Sequence, residues 1–93
     1  MVIGVISWEL HLAGSASLKD KRSVLKSLKA RLHNEFNVSV AETARHDNWQ
    51  HAELTACLVA TDKRHAESVI SSLDRFVEEA DGCRVIDTVT SYL

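Results

Sequence analysis

The stretch ELHLAGSASLKDKRSVLKSLKARLHNEFNVSVAE, residues 9 to 42, decides the fold because it contains a strand end, a long helix and a second strand. The helix is predicted from Ser17, which suits an N-cap, and from Asp20, which completes a capping box three residues later. Leucines then recur at helical spacing as far as Phe36 and form one apolar stripe. Asn37 is expected to end the helix in a left-handed conformation.

The segments around this helix show the two-residue period of half-buried strands. Residues 2 to 12 predict the first strand, and its inner face carries Ile6, Trp8, Leu10 and Leu12. Val38 and Val40 predict a short second strand, and the polar residues 43 to 48 predict a hairpin loop. The third strand is expected over residues 50 to 60, with its even-numbered residues facing inward.

The last third of the chain repeats the helix–strand pattern. Asp62 suits the cap of a second helix, Gly82 is expected to end that helix, and residues 84 to 92 predict a fourth strand without a clear inward face. The order β-α-β-β-α-β predicts a ferredoxin-like α+β fold, with an antiparallel four-stranded sheet and two helices on one face. We expect a single domain over residues 1–93, with the other sheet face open.

Size and composition restrict the class of protein. A chain of 93 residues with 45% hydrophobic residues can bury one core. The first apolar run has no basic region ahead of it and predicts a strand rather than a signal peptide, and no segment is long enough to cross a membrane. Cys57 and Cys83 form no CxxC pair and suit a reducing compartment. We therefore expect a cytoplasmic protein without membrane association.

Positive charge is concentrated on the first helix. Residues 19 to 31 contain six of the eleven Lys and Arg residues and one acid, so this segment carries +5 while the rest of the chain carries −7. Four of these cations follow one another at spacings of three, four and three residues, which places them in a stripe about 15 Å long. They are Lys19, Arg22, Lys26 and Lys29.

This stripe has three interpretations. It is a solvated helix face, a surface for several phosphates of RNA or the ribosome, or a surface for an acidic protein. Lys21 is an accessory candidate for the same contacts, although its helical angle lies near the leucine side, where it would snorkel or pair with a carboxylate. The cations are also costly at this end of a helix, because the macrodipole there is already positive.

The open sheet face predicts a different kind of site. RNA-recognition motifs of this topology stack bases on aromatic residues of the first and third strands. The outward positions here carry polar or acidic residues such as Glu9 and Glu53, which excludes that mode. At one end of the face a modest apolar patch is predicted, which is compatible with a homodimer or another protein partner, or with a covering terminal segment. The patch consists of Ile3, Val5, Cys57 and Val59.

No catalytic, metal or cofactor site is predicted. An enzyme acting on a phosphorylated substrate at the Gly14 to Arg22 corner is a third hypothesis, but the GSAS loop lacks the arginine that acylphosphatases of this topology place there. The five histidines have no ligand spacing, and no Ser-His-Asp or Cys-His arrangement can be argued. Trp49 lies beside the hairpin loop, and we expect it to close the core rather than to form a binding surface.

The sequence SLKDKR, together with FNVSVAE and DNWQHAEL, resembles the YlxP-like family of small bacterial proteins of unknown function. The resemblance extends over almost the whole chain and implies a ferredoxin-like fold. Family genes often lie near those for translation initiation factor two and ribosome-binding factor A, which implies a role around the ribosome. The family has no established activity, so the resemblance supplies no catalytic residue.

Overall fold

The computed structural model describes residues 1–93 and contains six elements. They are β1 (Val2–His11), α1 (Leu18–Glu35), β2 (Ser39–Ala44), β3 (His51–Ala60), α2 (Lys63–Glu78) and β4 (Arg84–Tyr92). The strands form one antiparallel sheet in the order β2-β3-β1-β4. The predicted β-α-β-β-α-β fold is therefore confirmed, and β2 and β4 are the two edge strands.

The helices begin where the capping residues predict. The Ser17 hydroxyl accepts a hydrogen bond from the Asp20 amide at 3.1 Å. The Asp20 carboxylate accepts in turn from the amide of Ala16 at 3.0 Å, one residue ahead of the usual capping-box donor. Asp62 caps α2 by accepting from the amide of His65 at 2.8 Å. These side chains satisfy amides that lack a partner within the helix.

One core lies between the sheet and the two helices. It contains 16 buried apolar residues contributed by β1, β3, both helices and Leu12. Trp8 is fully buried at its centre, and its indole nitrogen donates to the Asp74 carboxylate of α2 at 3.0 Å. The even-numbered residues of β3 from Ala52 to Ala60 face this core, as their alternation predicts.

Two local expectations are wrong. The cap of α1 is Phe36 in extended conformation, so the helix ends without a left-handed Asn37. Gly82 does adopt a φ of +87°, but it lies in the turn after α2, which ends at Glu78. Neither helix combines the length and the apolar character that a membrane crossing requires.

The inward face of β4 changes along the strand. The register with β1 shifts between Glu9 and Leu10, so that Ile86 has no partner there. Val85 lies opposite the inward Leu10 before this bulge, and Tyr92 lies opposite the inward Gly4 after it. A bulge inserts one residue and thereby reverses the alternation. This is why a single two-residue alternation cannot assign the inward face of the whole strand.

Candidate functional site

The four predicted cations of α1 form a continuous line on the protein surface. Lys19, Arg22 and Lys26 are exposed, and Lys29 is partly buried. We call these four residues the basic strip. The strip lies on the side of α1 opposite Val24, whose side chain faces Gly82 of the α2–β4 turn. It therefore follows the outer flank of α1, away from α2.

No member of the basic strip forms an ion pair within the protein. The molecule contains two ion pairs, and neither includes a member of the strip. The one acid of the segment, Asp20, accepts a hydrogen bond from the amide of Ala16. The four cations therefore remain available to an external anion, subject to screening by salt.

Lys21 is not part of this surface, and its predicted role as an accessory phosphate contact is wrong. Its side chain is 1% exposed and its ammonium lies 2.9 Å from the Glu42 carboxylate of β2. The ammonium also donates to the carbonyl oxygens of Arg45 at 2.8 Å and of His51 at 3.2 Å. A buried ammonium without these partners would be strongly destabilising. Lys21 therefore stabilises the attachment of the β2–β3 hairpin to α1 and does not reach solvent.

Glu42 is the partner that sequence reasoning missed. It occupies an inward position of β2, opposite the buried Leu54 of β3. No hydrogen-bond donor is aligned with its Oε2 atom, so the ion pair with Lys21 is what compensates its burial. The available signal for this ion pair was an acidic residue at an inward position of a strand. The predicted second strand ended before Glu42, so Glu42 was not assigned to a face of the sheet.

The start of α1 borders a cleft of about 540 Å³ lined by His11, Asp20, Cys83 and Arg84, among others. Burial raises the pKa of the Cys83 thiol, and the positive charge of Arg31 partly opposes this shift. A raised pKa keeps the thiol protonated and weakly nucleophilic. The amides of Ala16 and Asp20 are occupied by the capping bonds, so they cannot bind an anion there.

The predicted apolar patch is assembled on the open sheet face. Ile3 lies opposite Val59, and Val5 lies opposite Cys57, so its four residues form two adjacent cross-strand pairs. Val59 is 69% exposed, and the other three are partly buried. Val89 of β4 is also exposed and lies opposite Ser7 on the same face.

Apart from the apolar patch and Val89, the open face is polar. Glu9 lies between Glu53 of β3 and Asp87 of β4, and Arg45 forms an ion pair with Glu9. The rings of His11 and His51 are stacked with centroids 5.0 Å apart. No group of three His, Cys, Asp or Glu side chains is arranged to hold a metal ion.

Trp49 lies in the loop between β2 and β3, and the expectation that it closes the core is wrong. The residue is 50% exposed and does not belong to the core cluster. The core is closed without it, since Leu12, just after β1, and Ala52, near the start of β3, are fully buried.

Comparisons with known proteins identify the family. The family model described as "Protein of unknown function (DUF503)" matches residues 3–90. The chain is 31% identical over 77 residues to the "Uncharacterized protein YlxP" of Bacillus subtilis (strain 168), covering 83% of this chain and 84% of that protein. A de novo designed protein with ferredoxin fold, solved by solution NMR, matches the whole chain and 83% of its own length with a TM-score of 0.51. That likeness, at 16% identity, concerns the fold alone. The chain belongs to the DUF503 family of proteins of unknown function, as its resemblance to YlxP-like proteins predicts.

Proposed function

We propose that this protein is a non-enzymatic RNA-binding protein that acts at the ribosome or on another structured RNA through the basic strip. The observation that carries this proposal is the line of four cations without any internal ion pair, on a protein whose net charge is −2. A surface of this kind attracts a polyanion in spite of the net charge, because the field near the strip is set by the nearest charges.

The dimensions of the strip suit a nucleic-acid backbone. Lys19 and Lys29 are ten residues apart on α1, which corresponds to about 15 Å along the helix. Contacts of this type recognise phosphates rather than base edges, so binding should depend little on sequence. The gene neighbourhood that the resemblance to YlxP-like proteins implies, near translation factors, favours RNA over an acidic protein. Two free cysteines, Cys57 and Cys83, are consistent with the reducing cytoplasm, where ribosomes are found.

The test is the salt dependence of binding to a structured RNA. Four phosphate contacts should give a plot of log K against log salt with a slope of about −3 to −4. The double variant R22E/K26E should weaken binding by at least about tenfold and make the slope shallower. The matched control is R64E/R75E, which changes the net charge equally with two exposed residues of α2. A flat salt response, or equal losses in both variants, would contradict the proposal.

A second candidate function is association through the apolar patch, with another copy of the chain or with another protein. It is favoured by the 69% exposure of Val59 next to Ile3, at the end of the sheet face that carries no charged side chain. Sedimentation velocity over a range of concentrations should then show a dimer that V59K abolishes. A protein that stays monomeric at every concentration would contradict the homodimer.

A further inference from the structure

Trp49 of the β2–β3 loop is exposed, and packing in the core does not explain why a tryptophan occupies this position. Trp8 is fully buried and hydrogen-bonded to Asp74, whereas half of the surface of Trp49 is in contact with solvent. Exposed tryptophans are uncommon, since the indole ring is among the largest apolar surfaces a side chain offers. Where such a residue lies in a loop beside a charged surface, a binding role is the natural hypothesis.

The loop holds Trp49 in a fixed position. The Asn48 side-chain oxygen accepts hydrogen bonds from the amides of Gln50 at 2.9 Å and His51 at 3.0 Å, on the carboxyl side of Trp49. The amide of Asn48 donates to the carbonyl of Arg45 at 3.0 Å, and Arg45 itself adopts a φ of +64°. A loop braced in this way loses little conformational entropy when it binds a ligand.

The same loop is attached to the first turns of α1. The Lys21 ammonium donates to the carbonyl oxygens of Arg45 and His51, at the two ends of the loop. The Gln50 side-chain amide donates to the carbonyl of Ser15, just before α1, at 3.5 Å. The loop that carries Trp49 is therefore attached to α1 beside Lys19 and Arg22, where the basic strip begins.

We propose that Trp49 is a stacking platform for an unpaired base of the RNA strand whose phosphates lie along the basic strip. This inference rests on the proposed function and adds a ligand class to it, namely single-stranded RNA or an unpaired loop. Stacking on an aromatic side chain tolerates any base, as the phosphate contacts do. A duplex gains nothing from the platform, because its bases are already stacked on one another.

A protein partner is the other explanation for an exposed tryptophan, since tryptophans are enriched at protein interfaces. The position of Trp49 favours the base. Its loop is hydrogen-bonded to the start of α1, where the basic strip begins, whereas the apolar patch that would suit a protein interface lies elsewhere, around Ile3 and Val59 on the sheet face.

The experiment is a titration with a 12-nucleotide RNA of mixed sequence without self-complementarity, and with the same strand paired to its complement. Tryptophan fluorescence is recorded for the natural protein, W49F and W49A. We expect the single strand to quench the natural protein and to leave the W49F signal, which comes from Trp8, unchanged. W49A should bind the single strand at least about fivefold more weakly, with W49F between the two and duplex affinity equal in all three.

The outcomes separate the inference from the function it rests on. Salt-dependent binding of both RNAs, without quenching and with equal affinity of W49A, would overturn the stacking platform and leave the basic strip standing. Binding of neither RNA by the natural protein would overturn both. Thermal unfolding checks that W49A is folded, and the quenching measurement on the natural protein decides the question even if that variant is not.

Discussion

Lys21 and Glu42 form a buried ion pair, 2.9 Å between ammonium and carboxylate, that connects the start of α1 to edge strand β2. The pair joins two elements that contact each other through few other polar groups. Its lysine also donates to carbonyl oxygens of the β2–β3 loop. The corner that carries the basic strip and Trp49 is therefore held together by a charge that is itself hidden from any ligand.

Replacement of Lys21 by Met should destabilise the protein by about 3 kcal/mol, because it leaves the Glu42 carboxylate and the loop carbonyls without their donor. Urea unfolding measures the loss. The double variant K21M/E42L should recover part of it, since no buried charge remains.

The matched control for Lys21 is K19M, which removes an exposed cation two residues away. Its free energy of unfolding should stay within about 0.5 kcal/mol of the natural value. Equal unfolding of K21M and the natural protein would show that the ion pair contributes nothing to stability.

The sequence was sufficient to predict the fold because its apolar patterns extend over long segments and are consistent with one another. Ten residues of β1 and ten of β3 alternate without interruption, and α1 has a clear cap at Ser17. Where one inserted residue changes the phase, as at Ile86 of β4, the pattern alone could not assign a face. The failure was local, and the rest of the sheet determined the strand's place.

The candidate site was only partly predictable. The basic strip follows from spacing within one helix, so its residues could be named from the sequence. The partner of Lys21 lies 21 residues away, and that contact exists only because β2 packs beneath α1. Trp49 was assigned to the core on its apolar character, but whether a loop residue is covered depends on the turn that carries it.

Gly82 should be intolerant of substitution. Its φ of +87° is strained for any residue with a side chain, and an added Cβ atom would lie 3.2 Å from Val24 of α1. G82A should lower the free energy of unfolding by about 1 to 2 kcal/mol in a denaturant titration. G14A is the control, because a Cβ atom there meets nothing within 4 Å, and its stability should be unchanged or slightly higher. Equal losses in the two variants would refute the strain at Gly82.

Cys83 should make stability depend on alkaline pH. Burial raises the pKa of its thiol, so the folded state holds the proton more tightly than the unfolded chain does. The contribution of Cys83 to the free energy of unfolding should therefore be constant below the ordinary thiol pKa of about 8.5 and fall as the pH rises through it toward the higher folded value.

Urea unfolding at several pH values, compared between the natural protein and C83A, isolates this contribution. The variant should lose less stability between pH 7 and 10. In a C57A background, iodoacetamide should also react more slowly with Cys83 when the protein is folded than when it is unfolded. Parallel pH profiles for the natural protein and C83A would contradict the raised pKa.

We expect Lys19 to contribute to RNA binding while lowering the free energy of unfolding. It is the second residue of α1, where the positive end of the macrodipole disfavours a cation, and it lies one turn from Arg22. K19E should therefore raise the free energy of unfolding by about 0.5 to 1 kcal/mol while weakening RNA binding. K26E is the matched control, since it reverses the charge of another exposed lysine beyond the first turn and gains nothing from the dipole. If K19E proved less stable than K26E, the cation at position 19 would stabilise the fold, and the argument that it is retained for binding would fail.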